Sequence, residues 1–305
     1  MSTHIKTTAA SVRLSASDRI FKGFAYAICI LFAALCTYPL LLVVAVSFSE
    51  EYYVGMYGYS IIPYQLSLNT FNYIFRTSGP DIIRSFGMSV GVMCAGTLLS
   101  LAVTIPLSYA LSLKHLKYRN IISFFCYFTS IFSAGLVPWY VTCVRIYGLS
   151  NTFLALIMPY TVSVFFMFVL RASFAQLPDE IVEAAKIEGA GEFTVLIRIA
   201  APLTVTAIVT VGFLYSLQYW NDWYLTLMFI NKRDMYPLQF RLYSILTNTE
   251  GLSAAQAQSA AGYMQVPTET VKMATTVLTI LPIIFLYPFV QRFFVQGITI
   301  GAVKG

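Results

Sequence analysis

Five of the 13 acidic residues in this 305-residue chain, Asp179, Glu180, Glu183, Glu188 and Glu192, crowd into one stretch, DEIVEAAKIEGAGE. Carboxylates set among alanines in this way suit ionic recognition: small apolar anchors flanked by charge are what a helix needs to enter a groove on a partner. The plain alternative is a linker helix lying on a membrane surface, but such helices carry Lys and Arg on the polar face, and this one is acidic. A second group, YWNDW (Tyr219 to Trp223), sets an amide and a carboxylate between aromatic rings. Tyr219, Asn221, Asp222 and Trp223 could stack on and hydrogen-bond a sugar in a translocation path. They could equally anchor a helix at a membrane interface, where Trp and Tyr are enriched.

The elements that hold these groups are membrane helices. Charged residues are 10% and hydrophobic residues 58% of the chain, whereas soluble domains carry about 25% charge. The net charge of +6 is spread thinly and forms no basic patch beside stacking aromatics, which excludes a nucleic-acid binder. Cys29, Cys36, Cys94, Cys126 and Cys143 lie in apolar runs without redox or zinc spacing. His4 and His115 stand alone, so no metal site is expected.

A crossing helix needs about 20 mostly apolar residues. The intervals between charges give six, roughly 23–49, 85–113, 120–144, 149–171, 202–230 and 271–293, in one domain of residues 1–305. Continuous apolar runs of this length lack the in/out alternation of barrel strands, so the fold class is all-α. Lys6, Arg13, Arg19 and Lys22 at the N-terminus, and Lys114, Lys117 and Arg119 after the second span, mark the cytoplasmic side. Both termini and the loop 177–201 between spans four and five then face the cytoplasm.

In that loop Pro178 suits a first helical turn, acids follow at the helix N-terminus, and Gly189 and Gly191 offer a bend with positive φ. A second amphipathic helix follows, with Phe193, Leu196, Ile197 and Ala200 on one stripe, until Pro202 opens span five. The loop is read as two short helices joined at a glycine elbow.

EAAKIEGAGEF followed by IRIAAPL resembles the EAA loop of ABC-importer permeases, with Ala201 where that family usually has Leu and Thr206 where a second Pro is common. GLVPWYVTCVRIYGLSNTFLALIMPY, QYWNDWYLTLMFI, MYPLQFRLYSIL and the C-terminal stretch from Pro267 extend the resemblance over most of the chain. They are similar to carbohydrate-importer permeases of the maltose-transporter type, and to the branch associated with oligosaccharides from complex polysaccharides. The resemblance implies the type I ABC-importer transmembrane fold in a bacterial cell membrane. It implies a second permease subunit, two ATP-binding subunits and an extracellular solute-binding protein as partners. It makes the loop a coupling helix, with Glu183, Ala184 and Ala185 as docking face and Gly189 as elbow. ATP and Mg would be bound by the partner subunits. The chain itself has no G-x-x-x-x-G-K-[ST] loop; it is expected to be a transport subunit without cofactor or catalysis of its own.

Ser133, Ala134 and Gly135, near Pro138, read first as helix-packing positions. Tyr52, Tyr53, Tyr57, Tyr59 and Tyr64 in the first external loop fit either a docked binding protein or a bilayer anchor. By resemblance, Val303 to Gly305 would touch the ATPase. Rival readings are a permease for amino acids or peptides and a self-contained secondary transporter. The second rival needs intramembrane ionisable residues, of which only Asp222 qualifies. An intramembrane enzyme lacks any nucleophile or metal cluster.

Overall fold

The computed structural model describes residues 16–245, 247 and 269–302; Lys6, Arg13 and the tail Val303–Gly305 lie outside them. The first long helix, α1 (Ala16–Ser47), is followed by a short α2 (Glu51–Tyr57) and by α3 (Asn69–Ser112). At 1.5 Å per residue α3 is about 66 Å long, more than twice a hydrocarbon core of about 30 Å. The most apolar stretch of α1 is not buried within the chain at all. Such a helix is stable only where lipid or another subunit takes the place of water.

Among the described residues, two segments, Ile20–Ser47 and Gly79–Ser112, are each long and apolar enough to cross a membrane; three further helix pairs reach that standard only when taken together, because each is sharply bent. The first pair is α4 (Arg119–Ile131) with α5 (Leu136–Val141) and its continuation to Ile146, meeting at 114°. The interval between Arg119 and Arg145 reads in sequence as one span, but Gly135 takes a φ of 94°, which only glycine adopts freely. Hydropathy is blind to that break. The second pair, Phe153–Tyr160 with α6 (Val164–Phe174), bends by 53° after Pro159.

Then come α7 (Asp179–Ile187), α8 (Glu192–Val195) and α9 (Ala201–Leu203). Between α8 and α9 the helix widens into a π turn, Leu196–Ala200, just before Pro202, which has no N–H to give the preceding turn. The stretch Glu192–Leu203 then meets α10 (Val205–Trp220) at 86°. The upright run of span five therefore opens at Val205, three residues beyond Pro202. It ends at Trp220, and a break precedes α11 (Tyr224–Phe229). A helix over 238–245, α12, and α13 (Glu269–Ala302) complete the chain.

α3 packs against α10 and α6, and α13 against α1 and α10. The main core sits where α3, α6 and α10 meet, around Leu156, Leu170, Val211 and Tyr215. The start of α13 is held from the first loop. Glu51 accepts from the backbone N–H of Glu269 (3.0 Å) and Thr270 (2.8 Å), satisfying donors that a helix start leaves unpaired. Tyr59 donates to Glu269 at 2.6 Å, which holds the Glu269 carboxyl below its ordinary range and raises the Tyr59 hydroxyl to about 12.

Candidate functional site

The acidic loop is built by local rules. α7 ends because Gly189 takes φ 87°. The Gly189 N–H then reaches the Lys186 carbonyl and the Ala190 N–H reaches the Ala185 carbonyl, both at 3.0 Å, the paired closure of a Schellman turn. Any side chain at this elbow would be strained by its backbone, not by lack of room. The stripes expected in sequence are split by the packing. Ala185, Leu196 and Ala200 turn into the core, while Ile181, Glu183, Ala184, Phe193 and Ile197 remain exposed.

Glu192 fastens this loop to the end of α3. Its carboxylate meets Lys186 Nζ at 2.6 Å, His115 Nε2 at 3.4 Å and the Tyr109 hydroxyl at 3.4 Å, while Lys114 pairs with Asp179 at 2.5 Å. The Lys186 hydrogen bond leads in holding the Glu192 carboxyl below its ordinary range, against partial desolvation. Arg171 Nε also donates to the Leu111 carbonyl at the end of α3. The ion pairs are largely exposed, so each ties the loop to its neighbours only weakly.

The YWNDW group is divided by the end of α10. Tyr219 points inward, 2% exposed, with its ring where a Gly96 Cβ would stand. Trp220 donates to the Thr279 carbonyl on α13. Asn221 is exposed and donates to the Leu217 carbonyl; Asp222 accepts from the Leu225 N–H at 3.2 Å and so opens α11. Trp223 stacks on Tyr243 at 4.3 Å. Asn221, Asp222 and Trp223 thus occupy the break, and Tyr219 stands behind it.

Next to that break lies a cavity of about 640 Å³, walled by Ser133, Gly135, Trp139, Thr142 and Tyr224 among others. Trp139 and Tyr224 stack at 6.4 Å with planes 20° apart. Ser133, Ala134 and Gly135 are exposed at the kink of the α4/α5 pair, and among the described residues none of them joins the buried core. The structure places these positions, read in sequence as helix-packing sites, on the cavity wall. Trp139 and Tyr224 were missed in sequence; the signal that could have found them is an aromatic after the Gly-x-x-Pro break, in line with the ring after YWNDW.

Residues 100–300 match the model of the family described as binding-protein-dependent transport system inner membrane component. Protein LplC of Bacillus subtilis (strain 168) is 35% identical over 274 residues, covering 89% of this chain and 90% of its own. The polygalacturonan/rhamnogalacturonan transport system permease protein YtcP of the same organism is 32% identical over 289 residues, covering 94% and 99%. A chain in the crystal structure of a bacterial ABC transporter involved in the import of the acidic polysaccharide alginate superposes with a TM-score of 0.79, at 24% identity, over 92% of this chain and 99% of that one.

Proposed function

The chain belongs to the family of binding-protein-dependent transport system inner membrane components, and on that premise we propose that it conducts an oligosaccharide of the kind released from complex polysaccharides. It is a membrane protein and a transport component, not an enzyme, and its helical fold is that of ABC-importer permeases. The observation that carries the sugar reading is the cavity with the Trp139 and Tyr224 rings beside Asn221, Asp222 and Trp223. Flat aromatic faces next to amide, carboxylate and hydroxyl groups offer a sugar both its apolar face and its hydroxyls a partner. The relative YtcP, a polygalacturonan/rhamnogalacturonan transport system permease protein, points the same way.

In this reading residues 1–305 form a single domain in a bacterial cell membrane, with α13 as a sixth span and both termini in the cytoplasm. A second permease subunit completes the path, and an extracellular solute-binding protein delivers the sugar. Two partner subunits bind ATP and Mg and hydrolyse the nucleotide. Glu183 and Ala184 dock α7 in a cleft of one of them, Ala185 seats α7 on this chain, and Gly189 sets the angle to α8. Asn221, Asp222 and Trp223 face the path, with Tyr219 supporting them from behind. Closure of the ATP-binding pair displaces α7 as a rigid body and carries spans four and five with it. Import has a direction only if sugar affinity differs between the two states.

The test is uptake by proteoliposomes holding the full complex, offered a labelled oligogalacturonide, a neutral oligosaccharide and a peptide. ATP-dependent import of a saccharide is the expected result. Import of the peptide with exclusion of both saccharides would overturn the assignment.

A further inference from the structure

One helix face of α3 carries Gly96, Ser100, Thr104 and Ser108, four residues apart, so all four lie along one line of an apolar helix. Ser100, Thr104 and Ser108 are each 0% exposed. On the facing helix α10, Tyr215 and Tyr219 repeat the same spacing and are 0% and 2% exposed. The hydroxyls meet in order: Thr104 with Tyr215 at 2.9 Å, and Ser100 with Tyr219 at 2.9 Å. Hydroxyls buried between membrane helices must find partners, because lipid offers none.

The two tyrosines reach further, to the bend in span four. Tyr219 donates to the Ile157 carbonyl at 3.1 Å, so its bond with Ser100 must run from Ser100 to Tyr219, a chain of aligned hydroxyls. The Ser163 N–H, at the residue that caps α6, donates to the Tyr215 hydroxyl at 3.0 Å. Both sides of the 157–163 bend are therefore bonded to α10 as well as within their own segment, where the Ile157 carbonyl also accepts from the Tyr160 N–H and the Thr161 hydroxyl. Lower down, Ser108 donates to the Met167 carbonyl at 3.0 Å, and Tyr109 meets Glu192 of the loop. A series of separate cross-links, spaced along α3, thus joins the loop, α6, α10 and the bend.

We propose that Tyr215 and Tyr219 are positioning residues that lock the bend of span four to span five, so that displacement of the 179–203 loop is delivered to the bend and not lost in a soft kink. The proposal rests on the permease reading above and adds the route by which the loop's motion reaches the membrane interior. Without these bonds the Ser163 N–H loses its tyrosine partner and the bend is held by its own short turns alone, so loop motion is spent there. ATP would then be consumed with less sugar moved.

The experiment measures sugar imported per ATP hydrolysed by the reconstituted complex, with Tyr215→Phe, Tyr219→Phe and Thr104→Val. Phenylalanine keeps the ring against Gly96 and removes only the hydroxyl, and a freed Ser100 can return to a carbonyl of its own helix. A buried hydrogen bond biases a two-state equilibrium by about two- to tenfold. Tyr215→Phe and Tyr219→Phe should each lower import per ATP by that factor, and Thr104→Val, which leaves the Ser163 bond in place, should lower it less, while unstimulated hydrolysis by the Tyr215→Phe and Thr104→Val complexes stays unchanged. Should Tyr215→Phe not assemble, Tyr219→Phe removes the bond on the other side of the bend and must show the same loss. An unchanged ratio in assembled variants, alongside a working wild type, overturns this proposal alone. A wild-type complex that hydrolyses ATP and moves no sugar overturns the permease reading and this proposal with it.

Discussion

At Gly96, where α3 crosses α10, an added Cβ would stand 2.7 Å from the Tyr219 ring; at Gly135, in the kink of the α4/α5 pair, nothing lies within 4 Å and the backbone φ is 94°. One glycine exists for space and the other for conformation. The regions around them differ in the same way. The α3/α10 crossing is closed by buried hydroxyl pairs and an aromatic ring lodged against backbone, while the α4/α5 kink is open and bounded by exposed small residues. The first region is built to hold its shape, and the second leaves room beside two stacked rings. A transporter needs both, a rigid part that transmits and an open part that receives.

The largest effects should come from filling the closed region. Gly96→Leu should abolish a folded complex, and Gly96→Ala should cost about 1–3 kcal/mol through overpacking, read as a lower melting temperature in detergent or lipid. If Gly96→Ala melts like wild type, the Tyr219 ring is not confined and the contrast collapses. Gly135→Ala should cost about 1–2 kcal/mol, because an L side chain in left-handed backbone is strained whatever the space. Gly135→Asn should cost about as much as Gly135→Ala, since φ 94° with ψ 171° is open essentially to glycine alone; wild-type stability in either variant would mean that the kink is not held by that conformation.

These differences were only partly legible in the residues. The acidic elbow announced itself, because caps, acids at a helix start and Gly189 follow local rules that sequence records. The kink at Gly135 did not, since an interval between charges measures hydropathy and says nothing of φ. Tyr219 was misjudged in emphasis: beside Asn221 and Asp222 it reads as a polar-faced aromatic, whereas the fold gives its hydroxyl to Ser100 and Ile157. The four-residue repeat Gly96, Ser100, Thr104, Ser108 was the available clue. It becomes meaningful only once Tyr215 and Tyr219 are known to lie opposite.

Smaller effects sharpen the open side. Trp139→Ala and Tyr224→Ala should raise the KM for sugar import by about tenfold, the scale of one aromatic contact, alongside the stability loss expected of Trp139, which also packs on the core. A fall in melting temperature without a change in KM would assign the rings to packing. The smallest effect belongs to the loop clamp. Glu192 is about half exposed, so Glu192→Gln should cost under about 1 kcal/mol. Its carboxyl is depressed in the folded chain, chiefly by Lys186, so the contribution is complete above 4.5, its ordinary value, and fades as pH falls through the lower folded value. The gap in melting temperature between wild type and Glu192→Gln should therefore close on acidification below that point; a gap that widens there would refute the clamp.

The most direct test concerns the exposed side of α7. ATP hydrolysis by the reconstituted complex, with and without sugar-loaded binding protein, should be measured for wild type and Glu183→Arg. Glu183 is exposed and bears on no core contact, so the variant should fold, yet lose both co-purification of the ATP-binding subunits and stimulated hydrolysis. A Glu183→Arg complex that assembles fully and is stimulated like wild type would contradict the account.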